Sequence, residues 1–256
     1  MSFLYCPDNT CINPDDSDEI ELLNQEFLIN LPANYDRNKP YRLLFGMHWM
    51  GGNMQSVEAD GFFQLKPFDV QEEYIWVAPQ GYSDTTPWRG GDDKDHIFFD
   101  DLLNLIETEL CIDTSRVFVV GFSFGTMYTN ALAQTHQDRL RAVVVYSTAD
   151  SNIYFPANTG SPLAYMGVHG LSDPLCPFSS GSDSKDRFVQ NNGCTVPASV
   201  PIAANGTPHV VYDYEDCNGY PVKWCTFDGG HLYNPKDDDE PISWVPEETW
   251  GFISQF

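Results

Sequence analysis

Short runs of apolar residues recur along the chain and predict seven β-strands. The runs lie at 24–32, 41–48, 73–80, 116–122, 141–149, 163–170 and 222–228. Several are almost continuously apolar, as in RVFVVGF at 116–122, and such runs are typical of strands that are covered on both faces. The pattern therefore predicts a mainly parallel central sheet.

Between the strands, apolar residues repeat at helical spacing. This period predicts helices over 95–110, 124–137 and 246–256. Strands that alternate with helices favour an α/β fold with helices on both faces of the sheet. Since 256 residues suit one large domain of this class, we expect a single domain over 1–256.

The segment 174–221 interrupts this alternation. It is rich in Ser, Gly, Asn and Pro, and only 182–192 has a helical pattern. Long irregular connections inside a compact domain are usually functional. We therefore predict an irregular insertion between the last two strands, on the side of the sheet that meets the substrate.

Charge limits the classes of partner. The chain has 13 basic and 37 acidic residues and a net charge of −24, which would repel nucleic acid and anionic membrane surfaces. No apolar run approaches the roughly 18 residues of a membrane span, and the first ten residues lack the basic and apolar regions of an export signal. We expect neither a nucleic-acid nor a membrane partner.

Cysteine usage points to an oxidising compartment. None of the seven cysteines forms a C-x-x-C pair, so disulfides are expected rather than a zinc site. We therefore expect a secreted, extracellular protein whose export signal has been removed. The six histidines do not cluster as metal ligands do, and we expect no metal and no cofactor. The cysteines are Cys6, Cys11, Cys111, Cys176, Cys194, Cys217 and Cys225.

The stretch VFVVGFSFGTMYTNALA at 117–133 carries the motif G-x-S-x-G at the junction of a predicted strand and a predicted helix. This context is that of a nucleophile elbow, in which Gly121 and Gly125 allow a tight turn that exposes Ser123. The alternative is a glycine turn in which Ser123 merely caps the helix. The first hypothesis predicts a serine nucleophile.

A serine nucleophile needs a base, and the base needs an acid that orients it. His231, in the loop FDGGHLYNP after the last strand, is the candidate base, and Asp173, in GVHGLSDP, is the candidate acid. Asp150 and Asp228 are alternative acids. His169 precedes the acid in the chain and is expected to be a packed, hydrogen-bonded histidine.

The oxyanion of acyl transfer needs backbone N–H donors. Phe124, which follows the serine, is one candidate, and Trp49 or Met50 in the loop FGMHWMGGN at 45–53 is the other. The two glycines of that loop are also compatible with an ordinary turn. Trp88 and Trp49 are candidates for stacking on a substrate ring.

These motifs resemble a known family. In chain order, FGMHWMGG, VAPQG followed by Trp88, DTSRVFVVGFSFGTMYTNALA, HGLSD, FVQNNGC and GYPVKWCTFDGGH are similar to the feruloyl esterases of carbohydrate esterase family 1, which are related to polyhydroxybutyrate depolymerases. The likeness extends from about residue 20 to residue 235. It implies an α/β-hydrolase fold and the catalytic set Ser123, Asp173 and His231. It also implies a disulfide from Cys194 to Cys217 or Cys225.

The resemblance further implies a secreted serine esterase that releases ferulic and related hydroxycinnamic acids. Its partners would be feruloylated arabinoxylan of plant cell walls or small hydroxycinnamate esters, and we expect a monomer. An acetyl xylan esterase or a polyester depolymerase would use the same catalytic set, so both stay open. A non-catalytic carbohydrate-binding module is a third hypothesis, against which the complete Ser, Asp and His set argues.

Overall fold

A single sheet organises the part of the chain that the computed structural model describes, residues 25–83, 85–89, 93–238 and 240–256. Its strands are β1 (Phe27–Asn30), β2 (Tyr41–Met47), β3 (Tyr74–Pro79), β4 (Ile112–Phe122), β5 (Ala142–Tyr146), β6 (Ala164–Gly170), β7 (Val210–Asp213) and β8 (Val222–Phe227). The spatial order is β1-β3-β2-β4-β5-β6-β8-β7. The six inner strands are parallel, and the edge strands β1 and β7 are antiparallel to their neighbours. The predicted α/β-hydrolase fold with a mainly parallel sheet is confirmed.

Helices cover both faces of the sheet. In the described residues they are α1 (Met54–Ala59), α2 (Gly61–Gln64), α3 (Lys94–Glu109), α4 (Phe124–Leu132), α5 (Phe178–Asn191) and α6 (Val245–Ser254), with a 3-10 turn at Lys66–Phe68. Side chains of α3, α4 and α5 join one hydrophobic cluster, and those of α1, α2 and α6 join a second. In β4, Val117 and Val119 belong to the first cluster, whereas Phe118 and Val120 belong to the second. This alternation is the period-2 pattern of a strand buried on both faces.

The insertion at 174–221 has more regular structure than its composition predicts. Helix α5 begins at Phe178, four positions before the predicted helix, and β7 extends the sheet beyond β8. The prediction that this insertion is irregular is corrected, because the segment contributes helix α5 and strand β7. Residues 1–24 lie outside the described part, so a single domain over 1–256 stays a prediction.

One disulfide, between Cys194 and Cys217, closes the segment that follows α5. The expected pairing of Cys194 with Cys217 is confirmed. The alternative pairing with Cys225 is wrong, because Cys225 is a buried free thiol on β8. Cys111 and Cys176 are also free thiols. Cys6 and Cys11 lie outside the described residues. None of the described helices has the length and apolar character needed to cross a bilayer.

His96, in the first turn of α3, has a buried side chain that packs against α4. The His96 ring packs edge-on against Tyr128 and Tyr154, with ring centroids 5.5 and 5.4 Å away, and the His136 ring lies 5.6 Å from it. Burial, reinforced by His136, lowers the pKa of His96 from 6.5 to about 4. His96 is therefore neutral in the folded protein at pH values where an unfolded chain already binds a proton.

We expect His96 to make the protein acid-sensitive. Between pH 6.5 and about 4 the unfolded chain holds the extra proton, so the free energy of unfolding decreases as the pH falls. A pKa difference of this size corresponds to about 3 kcal/mol. In urea unfolding across this pH range, the free energy of unfolding of His96→Phe protein should decrease less than that of wild type, by up to about 3 kcal/mol. Tyr154→Phe, which keeps an aromatic ring against His96, should keep the wild-type slope. Equal slopes in wild type and His96→Phe would refute the prediction.

Candidate active site

The predicted catalytic residues lie in loops that follow three parallel strands of the sheet. Ser123 follows β4, Asp173 follows β6 and His231 follows β8. Because these strands are parallel, their carboxyl ends lie at one edge of the sheet, where α/β folds place their ligand sites. The ring centroids of Phe122 and His231 are 4.8 Å apart, so the imidazole lies beside the residue that precedes the serine.

Ser123 has the backbone conformation of a nucleophile elbow. Its φ is 56° and its ψ is −120°, in a region that L-residues seldom adopt and that is associated with functional sites. Although Ser123 occupies the N-cap position of α4, its side chain makes no capping hydrogen bond. The alternative role as a helix cap is therefore not supported by the geometry.

The two glycines of the motif are required by close contacts of the backbone. A Cβ atom at Gly125 would lie 2.0 Å from the carbonyl oxygen of Met47 and 2.6 Å from that of His48. A Cβ atom at Gly121 would lie 2.6 Å from the backbone of Gly125 and from Oγ1 of Thr129. Glycine at 125 therefore lets the first turn of α4 contact the end of β2, and glycine at 121 lets α4 pack closely on β4.

Asp173 and His231 form a hydrogen-bonded acid and base pair. Nδ1 of His231 lies 2.8 Å from Oδ2 of Asp173. An ionised carboxylate only accepts hydrogen bonds, so Nδ1 carries the proton and Nε2 of the neutral ring has a free lone pair. Nε2 is buried and has no hydrogen-bond partner among the described residues. This tautomer is the one that a general base beside a serine requires.

Backbone donors hold the Asp173 carboxylate in place. Its Oδ1 accepts hydrogen bonds from the N–H groups of Leu175 and Cys176, each at 2.9 Å. Burial raises the pKa of Asp173, but the bonds from Cys176, His231 and Leu175 together outweigh it, and the pKa lies below its usual value. Asp173 is therefore ionised at neutral pH, as the hydrogen bond to His231 requires.

The alternative acids are engaged elsewhere. Asp150 accepts from Nδ2 of Asn130 at 2.6 Å and pairs with Arg187, while Asp228 accepts from the N–H of Gly206 at 2.7 Å. His169 is fully buried, and its Nε2 lies 2.8 Å from the carbonyl oxygen of Cys176. The prediction that His169 is a packed, hydrogen-bonded histidine is confirmed.

One group in the described residues has the spacing of metal ligands, namely Asp173, Cys176 and His231. Two of its donor atoms are already hydrogen-bonded to each other. Burial raises the pKa of the Cys176 thiol to about 12, so the third donor is a neutral thiol at neutral pH. Cysteine binds a metal ion as the thiolate. These three residues therefore fit a hydrogen-bonded acid and base pair better than they fit a metal site.

The candidate oxyanion donors come from two elements in contact. Phe124 is the first residue of α4, where N–H groups have no partner within the helix. Trp49 and Met50 lie in the loop after β2, which Gly125 contacts through the carbonyl groups of Met47 and His48. The geometry keeps both Trp49 and Met50 as candidates for the second donor.

Trp88 is not on a surface that a substrate could reach. Its side chain is only 1% exposed, and its ring stacks on Tyr128 at 4.8 Å. Its indole Nε1 donates to the carbonyl of His48 at 2.7 Å. This placement corrects the expectation that Trp88 stacks on a substrate ring. Trp49 is partly exposed, and its role toward a substrate stays a prediction.

An aromatic cluster beside His231 was missed by the sequence analysis. Tyr233 packs against Trp49, Phe122 and Phe63, with ring centroids 6.0, 5.2 and 5.7 Å away. The Tyr233 hydroxyl donates to Oδ1 of Asp60 at 3.0 Å. In the sequence, the only sign of this cluster was that Tyr233 lies two residues after His231, the candidate base. The cluster fixes the loop that carries His231 against the loop after β2.

Comparison with known proteins shows the family of this chain. A family model described as Phospholipase/Carboxylesterase matches residues 98–200. A probable feruloyl esterase C of Aspergillus terreus is 34% identical over 237 residues, which cover 90% of this chain and 84% of that protein. The chain belongs to the feruloyl esterase family. Feruloyl esterase D of Neurospora crassa is 32% identical, and the match covers 91% of this chain and 82% of that protein.

Solved structures agree with the fold of a feruloyl esterase. A CE1 ferulic acid esterase from Anaeromyces mucronatus, in complex with ferulic acid, has a TM-score of 0.56 and 15% identity, and the match covers 90% of this chain and 84% of that one. An acetyl xylan esterase from Aspergillus awamori has a TM-score of 0.61 and 16% identity, over 90% and 94% of the two chains. At identities of 15% and 16%, these similarities support the fold of this feruloyl esterase and no more.

Proposed function

We propose that this chain hydrolyses feruloyl and related hydroxycinnamoyl esters through an acyl-enzyme on Ser123. The observation that carries the proposal is the Asp173 to His231 hydrogen bond, with the His231 ring 4.8 Å from that of Phe122, the residue before Ser123. The identity of about 34% to feruloyl esterases over most of the chain supports the choice of acyl group.

The proposed reaction has two steps that use the same base. Nε2 of His231 takes the proton of the Ser123 hydroxyl as the oxygen attacks the ester carbonyl, and it then gives that proton to the leaving alcohol. A water molecule then attacks the acyl-enzyme as His231 takes its proton, and His231 gives that proton to the Ser123 oxygen as the acid is released. In both steps the oxyanion accepts hydrogen bonds from the N–H of Phe124 and from that of Trp49 or Met50.

Exposed apolar side chains support an aromatic acyl group. Met50 is 50% exposed in the loop after β2, Leu175 is 69% exposed two residues after Asp173, and Leu232 is 47% exposed next to His231. Each of the loops after β2, β6 and β8 thus carries an exposed apolar residue beside a candidate catalytic or oxyanion residue. We propose that these side chains border the binding site for the phenyl ring, whose burial is favourable.

We also propose that the natural substrate is feruloylated arabinoxylan and that the protein acts outside the cell. The disulfide between Cys194 and Cys217 supports an oxidising compartment. The net charge of −24 is compatible with a neutral polysaccharide.

The test compares kcat/KM on methyl ferulate, on an acetyl ester of the same alcohol and on a short polyester, with Ser123→Ala protein as the blank. We expect methyl ferulate to be preferred at least about tenfold over the acetyl ester, since an aromatic ring adds buried apolar area. Preference for acetate would make the protein an acetyl esterase, and preference for the polyester a depolymerase. No activity above the blank on any ester would refute the proposed function.

A further inference from the structure

The two peptide groups that could supply the second oxyanion donor are both held through their carbonyl oxygens. The carbonyl of His48 accepts from the Trp88 indole at 2.7 Å. The carbonyl of Trp49 accepts from the N–H of Gly52 at 2.9 Å and lies 3.1 Å from Nδ1 of His48. In a planar trans peptide the C=O and the following N–H point in opposite directions. Holding these carbonyls therefore sets the directions of the N–H groups of Trp49 and Met50.

The tautomer of His48 follows from its neighbours. The N–H of Gly81 donates to Nε2 of His48 at 2.9 Å, so Nε2 is an acceptor. A neutral imidazole has one acceptor and one donor nitrogen, so Nδ1 carries the proton and donates to the carbonyl of Trp49. The ring is fully buried. His48 thus ties the loop after β2 to the loop after β3.

The Trp88 ring contacts both elements that carry candidate donors. Besides its bond to His48, it stacks on Tyr128 with a centroid distance of 4.8 Å and an interplanar angle of 6°. Tyr128 is four residues after Phe124 on α4, so it lies one turn along the same face of the helix. One buried indole therefore spans the loop of Trp49 and the helix of Phe124.

We infer that Trp88 and His48 are positioning residues that set the oxyanion hole. The inference rests on the proposed function. Neither side chain touches the substrate; they aim one N–H of the loop after β2 at the point toward which the N–H of Phe124 is directed. Preorganised donors act on the oxyanion, which exists only during reaction, so their misalignment lowers kcat more than it weakens the binding of substrate or product.

The first test uses Trp88→Phe, which keeps an aromatic ring against Tyr128 and removes the indole N–H. Loss of one oxyanion donor lowers kcat about 10²- to 10³-fold in serine hydrolases, so a misdirected donor should lower kcat by roughly 10- to 100-fold. The affinity for a trifluoromethyl ketone analogue of the ferulate ester, whose adduct with serine is an oxyanion, should fall by a similar factor. The affinity for ferulic acid itself should change less than about threefold.

The matched control is Trp250→Phe, on α6, whose ring packs against Phe68 and Tyr74 on the other face of the sheet. It should leave kcat and both affinities unchanged. Equal losses of ketone and ferulic acid affinity in Trp88→Phe, or an unchanged kcat, would overturn the inference. Wild-type protein without Ser123-dependent activity would instead refute the proposed function.

A second pair of variants keeps the inference testable if Trp88→Phe does not fold. The amide N–H of His48→Asn can replace the Nδ1 donor to the carbonyl of Trp49, whereas His48→Ala cannot. We expect the ratio of ketone to ferulic acid affinity to fall in His48→Ala and to recover at least in part in His48→Asn. Identical ratios in wild type and both variants would show that His48 has only a structural role.

Discussion

Ser123→Ala protein is expected to lose about a million-fold in kcat on methyl ferulate, the scale found when a catalytic serine is removed from a serine hydrolase. Without the hydroxyl no acyl-enzyme can form, and His231 has no serine proton to accept. The fold should be unaffected, because the Ser123 side chain makes no capping hydrogen bond.

The measurement combines single-turnover kinetics with a fluorophosphonate probe that labels activated serines. Wild-type protein should be labelled on Ser123 and the variant should not be labelled. Ser179→Ala, which changes an exposed serine on α5, is the control and should keep full activity and labelling. Labelling of another serine with retained activity in Ser123→Ala would place the nucleophile elsewhere.

Asp173→Asn should lower kcat about 10,000-fold, because it forces the wrong tautomer on His231. The N–H groups of Leu175 and Cys176 both point at Oδ1, so the single oxygen of the asparagine must occupy that position. Its NH₂ group then faces Nδ1 of His231, which becomes an acceptor, and the ring proton moves to Nε2. A protonated Nε2 cannot take the proton of Ser123.

Two matched variants make this prediction specific. Asp228→Asn changes a carboxylate in the His231 loop that is bonded to Gly206, and Asp150→Asn changes the carboxylate after β5. We expect both to keep kcat within about fivefold of wild type, since neither carboxylate contacts His231. Circular dichroism and thermal unfolding verify that each variant is folded. A folded Asp173→Asn protein with more than a tenth of wild-type kcat would rule out Asp173 as the orienting acid.

The chain order of the candidate residues could be predicted because each follows a strong strand signal. The runs before Ser123, Asp173 and His231 are apolar and bounded by glycine, and in a parallel sheet the ends of such strands meet at one edge. The Asp173 to His231 hydrogen bond is what this order implies. The local sequence pattern and the parallel arrangement of the strands were therefore together sufficient to predict this pair of residues.

Other features depend on contacts that no local pattern encodes. Strand β7 has four residues inside a segment rich in Ser, Gly, Asn and Pro, and its pairing with β8 decides its conformation. Helix α1 has only six residues, too few for a helical period to show. Trp88 lies in a loop, and whether a loop tryptophan meets solvent or packs on Tyr128 is settled by the tertiary fold.

The position of β8 in the sheet has a consequence for synthesis of the protein. The chain is made from its amino terminus, so Ser123 and Asp173 leave the ribosome before His231, which follows Asp173 by 58 positions. The strand that carries the base takes its place between β6 and β7 only after most of the sheet has been made. In the proposed mechanism, a nascent or truncated chain that ends before this strand holds the nucleophile and the acid but not the base. By the proposed mechanism, ester hydrolysis therefore requires that this last strand has joined the sheet.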